Sequence, residues 1–141
     1  MSEINLIIIP EVNTESGLKL CSGNRKIYIQ SLRLFVSKIP EILEKMRALV
    51  QQNDVTENSL KNYSTTVHSL KGMCDYIGAE DTRKTAKQLE DIAEAGDIKG
   101  ILELNENFIK QTEKIITNIQ TWLDNNSDYI DTIFNTEQNN G

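Results

Sequence analysis

Apolar residues recur three and four positions apart along most of the chain, and this is the spacing of one face of an α-helix. The clearest example lies between Thr56 and Ile77, with apolar positions Leu60, Tyr63, Val67, Leu70, Cys74 and Ile77. A second long stripe runs from Ile98 to Trp122. After Pro40 almost no stretch alternates apolar and polar residues as a half-buried strand does. The pattern therefore predicts an all-α protein.

Capping residues, glycines and prolines divide this pattern into helices. Asn13 as N-cap and Gly23 as stop predict a short helix from Thr14 to about Cys21. Pro40 is tolerated best in a first helical turn, so it predicts a break between two helices. Gly78 and Gly96 are expected to end two further helices, and Asp97 is expected to cap the last long helix. The resulting long helices are predicted at residues 24–38, 40–53, 56–77, 80–95 and 97–122.

Four long amphipathic helices among these, joined by short loops, predict an up-down antiparallel four-helix bundle with a short additional N-terminal helix. A chain of 141 residues has the size of one domain. We assign an N-terminal segment (1–11), the bundle domain (12–123) and a polar C-terminal tail (124–141). The tail is rich in Asn, and either a short helical turn at Tyr129–Phe134 or no fixed structure is compatible with it.

Charge and cysteine content narrow the possible partners and location. The formal net charge is −6, which argues against nucleic acid as a partner. The apolar run at residues 6–9 is too short to span a bilayer, so no direct membrane contact is expected. Cys21 and Cys74 match no metal-site spacing and no disulfide framework, which favours a reducing compartment. We therefore expect a cytoplasmic location, and we also expect the protein to be a monomer.

His68 is the only histidine in the chain. On a helical wheel it falls roughly 130° from the centre of its helix's apolar stripe, so its imidazole is expected in solvent. Its side of the helix also carries Ser64, Lys71, Gly72 and Asp75.

The predicted turn at Gly78–Ala79 sets which residues face each other across the helical hairpin. Residues at equal distance from Ala79 lie at similar height, which pairs His68 with Glu90 and Lys71 with Lys87. A carboxylate beside His68 can accept from one ring nitrogen and leave the other nucleophilic. Two lysines nearby can neutralise an attached phosphoryl group. The arrangement suits phosphoryl transfer through histidine.

The stretch Val67-His68-Ser69-Leu70-Lys71-Gly72, followed by Ile77-Gly78-Ala79, resembles the signature of histidine-phosphotransfer (HPt) domains. Similarity continues through Leu89-Glu90 and Ala95-Gly96-Asp97, and upstream at residues 15–18 and 32–35. The resemblance implies His68 as phosphoacceptor, Lys71 as phosphate stabiliser and Gly72 as the opening for a partner. Glu90 matches the position that orients the imidazole in family members with an acid there. The loop between Asn53 and Leu60 is longer than the usual pattern.

The resemblance also implies a role without ATP-dependent kinase activity. Such a domain accepts a phosphoryl group from a receiver-domain aspartate and passes it to another response regulator. No cofactor is expected on this chain, and the Mg²⁺ that the chemistry needs is expected on the receiver. The expected partners are then receiver domains and a hybrid histidine kinase. This chain could also be one domain of such a kinase.

The alternative function is a non-catalytic helical module that binds receivers or kinases. The expected docking face consists of Ser64, Thr65, Ser69, Gly72, Met73 and Tyr76.

Overall fold

A computed structural model describes residues 7–52 and 55–140, with side chains through residue 135. Six helices make up the described chain: α1 (Thr14–Leu20), α2 (Arg25–Val50), α3 (Glu57–Ile77), α4 (Glu80–Glu94), α5 (Ile98–Asn125) and α6 (Ser127–Asn140). Helices α2 to α5 form the bundle, in which α3 and α5 each pack against both α2 and α4. The described residues contain no strand, so the predicted all-α bundle with a short N-terminal helix is confirmed.

Several predicted helix ends are also confirmed. The Asn13 side chain accepts a hydrogen bond from the Ser16 amide at 3.0 Å and caps α1. Gly78 ends α3 with a φ of 84°, a left-handed conformation that glycine adopts without steric cost. The Asp97 side chain accepts from the Gly100 amide at 2.9 Å and caps α5.

The predicted break at Pro40 is wrong, because α2 continues through that residue. Pro40 removes one backbone donor, and a proline inside a helix costs about 3 kcal/mol. Its ring is exposed, however, and the residues on both sides of it share one buried stripe. Phe35, Ile39 and Met46 in this stripe are all 0% exposed. Burial of each large apolar side chain contributes about 1.5–3 kcal/mol, so a continuous stripe outweighs the lost bond.

Helix α6 occupies the segment in which the sequence left a short turn or no fixed structure open. Ile130 is buried there, and the Tyr129 ring meets Trp122 of α5 edge to face at 6.3 Å between centroids. The Phe134 ring lies near two cations of α2, Lys26 and Arg33. None of the described helices is long and apolar enough to cross a membrane.

A polar connection joins three helices within the core. The Tyr63 hydroxyl of α3 donates to Asn105 Oδ1 of α5 at 2.6 Å. The Asn105 side-chain amide donates to the Met46 carbonyl of α2 at 3.3 Å. Both Tyr63 and Asn105 are 1% exposed, so these hydrogen bonds satisfy groups that water does not reach.

Candidate functional site

The α3–α4 hairpin brings His68 and Glu90 into direct contact, although they are 22 residues apart. His68 Nδ1 lies 2.6 Å from Glu90 Oε2. The His68 side chain is 66% exposed, whereas that of Glu90 is only 9% exposed. The imidazole is therefore held at one nitrogen by a buried carboxylate, while its body faces solvent.

Glu90 also binds Lys71, whose ammonium donates to the other carboxylate oxygen, Oε1, at 2.8 Å. This hydrogen bond, opposed by desolvation and assisted by the bond from His68, lowers the pKa of the Glu90 carboxyl below its ordinary value. An ionised carboxylate can only accept hydrogen bonds, so His68 Nδ1 must carry the proton that it shares with Glu90. In a neutral ring this leaves Nε2 with its lone pair free.

Gly72 lies one turn after His68 on α3. A Cβ built at this position would have no atom within 4 Å, apart from its helix and chain neighbours. The fold itself therefore does not require glycine here, unlike Gly78, where a Cβ would overlap the Asn13 carbonyl. Position 72, one turn from His68 on α3, therefore has open space where a side chain would begin.

The remaining predicted docking residues also lie on α3, and they differ in exposure. Thr65, Ser69 and Tyr76 are exposed, while Ser64 and Met73 are half-buried. Tyr76 is 60% exposed, which is unusual for a large aromatic side chain. The helix that carries His68 therefore exposes hydroxyl groups and one aromatic ring to solvent.

Lys87 does not join the His68 cluster. Its ammonium donates to Asp91 Oδ1 at 2.8 Å, and this contact raises the pKa of Lys87. Within the described residues, no hydrogen bond or ion pair connects Lys87 to His68 or Glu90. The i,i+4 spacing of the pair was visible in the sequence and is a common source of helical ion pairs.

Two further features of the site were missed at the sequence level. The Lys71–Glu90 ion pair was not expected, because Lys71 was assigned to a phosphoryl group alone. A second pair joins the helices nearer the turn, with Arg83 Nε 2.6 Å from Asp75 Oδ1. Counting from Ala79 places Asp75 and Arg83 at equal height, so the argument that paired His68 with Glu90 could have found this bridge.

Among the described residues, no group of three His, Cys, Asp or Glu side chains could hold a metal ion.

The family model described as the Hpt domain matches residues 30–122, well over half of the chain and including the whole α3–α4 hairpin. No curated protein matches the chain, and no solved structure does so either.

Proposed function

We propose that His68 is the residue on which this chain carries a phosphoryl group. The starting point is that the chain belongs to the Hpt domain family. Members of the family are histidine-phosphotransfer intermediates of phosphorelays and not ATP-dependent kinases. One observation carries the assignment to His68: its exposed imidazole is bonded through Nδ1 to a buried carboxylate. This leaves Nε2 as the available nucleophile.

The transfer step follows from this arrangement. The Nε2 lone pair attacks the phosphorus of an aspartyl phosphate on a receiver domain. The Nε2–P bond forms, the P–O bond to the aspartate breaks, and the receiver's carboxylate leaves with the bonding electrons. The ring, still protonated at Nδ1, then carries positive charge, which the adjacent Glu90 carboxylate stabilises. Attack by the aspartate of a second receiver on the same phosphorus reverses these bond changes and completes the relay.

The neighbouring residues have separate roles in this proposal. Glu90 orients His68 and keeps the proton on Nδ1. Lys71 stabilises the phosphoryl group, toward which its ammonium can turn from Glu90. Gly72 leaves space for the in-line approach of the receiver. Lys87 has at most a secondary contact with phosphate, since Asp91 already holds its ammonium.

Receiver domains and kinases of a phosphorelay are the partners that family membership implies. We propose that they dock on α3 around His68, on the face formed by Ser64, Thr65, Ser69, Gly72, Met73 and Tyr76. The Mg²⁺ is supplied by the receiver, and this chain binds no cofactor of its own.

The net charge of −6 disfavours nucleic acid as a partner, and two free buried cysteines suit a reducing cytoplasm. We propose a monomer without direct membrane contact.

The test is transfer of label from a receiver phosphorylated on its aspartate. We expect the chain to acquire an acid-labile, base-stable phosphate, and the His68→Gln variant to acquire none. Far-UV circular dichroism of both proteins controls for folding. Normal labelling of His68→Gln would overturn the assignment. Receiver binding that persists in His68→Gln, with no transfer to the parent chain from any receiver, would instead support a non-catalytic binding module.

A further inference from the structure

The turn between α3 and α4 is held by residues that precede the family-matched region. The last carbonyls of a helix have no partner within that helix. At the end of α3, the Ile77 carbonyl accepts from the Tyr28 hydroxyl at 2.7 Å. The Gly78 carbonyl accepts from the Asn13 amide at 2.8 Å. Both donors lie outside residues 30–122.

The same contact is closely packed. Tyr28 is 0% exposed. A Cβ at Gly17 of α1 would lie 2.8 Å from the Ile77 oxygen and would overlap the Tyr28 ring. A Cβ at Gly78 would overlap the Asn13 carbonyl. Helix α1 and its N-cap therefore contact the α3–α4 turn backbone to backbone, and the Tyr28 side chain of α2 packs against both, which leaves little space for the turn to shift.

The position of this turn matters for the site because His68 and Glu90 lie on the two helices that it joins. Their relative height depends on the count of residues to the turn and on the geometry of the turn itself. Their 2.6 Å contact is sensitive to displacement, since a separation of 3.6 Å is no longer a hydrogen bond. A displacement of the turn would therefore shift His68 along the hairpin relative to Glu90.

We infer that the Tyr28 hydroxyl and the Asn13 amide clamp the α3–α4 turn and thereby position His68 against Glu90. Tyr28 is then a positioning residue, which acts on phosphotransfer through the hairpin and touches no phosphoryl group. This inference rests on the proposed function, in which Glu90 keeps the proton on Nδ1 of His68.

The test compares Tyr28→Phe with Tyr63→Phe. Both substitutions delete the hydroxyl of a buried tyrosine that donates one hydrogen bond. Tyr63 lies closer to His68 in sequence, but its hydroxyl contacts α5 and not the turn. Because His68 is the only histidine, incorporation of ¹⁵N-histidine gives ring signals from the site alone. These signals report which nitrogen carries the proton, and a general loss of stability does not move them while the chain is folded.

We expect Tyr28→Phe to shift the ¹⁵N signals away from the Nδ1-protonated form and to slow transfer from a phosphorylated receiver about fivefold. Tyr63→Phe should leave both unchanged at a temperature where both variants are folded. Unchanged signals in Tyr28→Phe, or equal shifts in both variants, would overturn the clamp. Transfer to His68→Gln would instead defeat the proposed function itself, so the two failures are distinguishable.

A second pair of variants tests the other donor if Tyr28→Phe does not fold. Asn13→Pro removes the amide that donates to Gly78, and the Asn13 φ of −85° is close to the proline range. Asn13→Ala removes the same side-chain cap of α1 but keeps the amide. The clamp requires a larger ¹⁵N shift and slower transfer in Asn13→Pro than in Asn13→Ala. Equal behaviour of the two variants would refute it.

Discussion

Replacement of Gly72 by alanine should stabilise the fold and impair phosphotransfer at the same time. Gly72 lies within α3, where glycine costs about 1 kcal/mol relative to alanine. The added Cβ would point into space with no atom within 4 Å outside its own helix and chain neighbours. No overlap opposes the gain in helix propensity, so we expect the free energy of unfolding to rise by about 1 kcal/mol.

Urea unfolding followed by circular dichroism measures the first half of this prediction. With an m-value of about 2 kcal/mol/M, the midpoint should rise by about 0.5 M, and Tm should rise by about 3 °C. Asn107→Ala is the matched control. It is an exposed position of α5, which lies across the bundle from α3, and it should stabilise by about 0.5 kcal/mol.

Transfer from a phosphorylated receiver measures the second half. We expect Gly72→Ala to slow transfer about tenfold, because a methyl group beside His68 displaces the approaching aspartate. Gly72→Leu should slow it further, while Asn107→Ala should leave it unchanged. A destabilised Gly72→Ala would contradict the open geometry at this position. Unimpaired transfer in both Gly72 variants would contradict its role as the opening for the receiver.

Three further predictions follow from the charges and thiols. Lys71→Ala should slow transfer from a phosphorylated receiver about tenfold, and Lys87→Ala less than twofold. Equal reductions of the transfer rate in the two variants would refute the difference between the lysines. Because the pKa of Glu90 is lowered from 4.5 in the folded chain, its stabilising contribution is complete above pH 4.5 and disappears as pH falls through the folded value. The free energy of unfolding, measured with urea between pH 3 and 6, should therefore fall more steeply with acidification in the parent chain than in Glu90→Gln. The same pH dependence in both proteins would exclude this contribution of Glu90. Burial raises the pKa of Cys74 to about 12 and also raises that of Cys21. A disulfide reagent at pH 7 should therefore label both thiols in denaturant and neither in the folded chain. Rapid labelling of the native chain would contradict this prediction by showing that the thiols are accessible.

Much of the hairpin that carries the site was predictable from sequence, because its determinants are local. A helical period, a glycine stop and equal counts from the turn were enough to place His68 beside Glu90. Helix ends at Asn13, Gly78 and Asp97 followed from single residues that satisfy backbone groups or adopt a left-handed conformation. Each of these arguments needs only neighbours along the chain or across one tight turn.

The charge pairing within the site was not predictable in the same way. Lys71 and Lys87 lie at equal height, yet one contacts Glu90 and the other Asp91. A long lysine side chain can reach several acids from one backbone position. The Lys71 side chain is 16% exposed and that of Lys87 is 53% exposed. The buried Glu90 carboxylate therefore pairs with the less exposed of the two ammonium groups. The height of a residue along its helix does not indicate which acid its side chain will contact.

The sequence by itself determined the helical class, the exposed histidine and its carboxylate partner. Only the tertiary structure decided that α2 continues through Pro40, that α6 packs on the bundle, and that Tyr28 and Asn13 hold the α3–α4 turn. The physical reason is that these features depend on burial summed over several helices and on backbone groups satisfied from distant segments. A periodic pattern shows which face of a helix is apolar, whereas the packed chain decides what covers that face and which donors reach its ends.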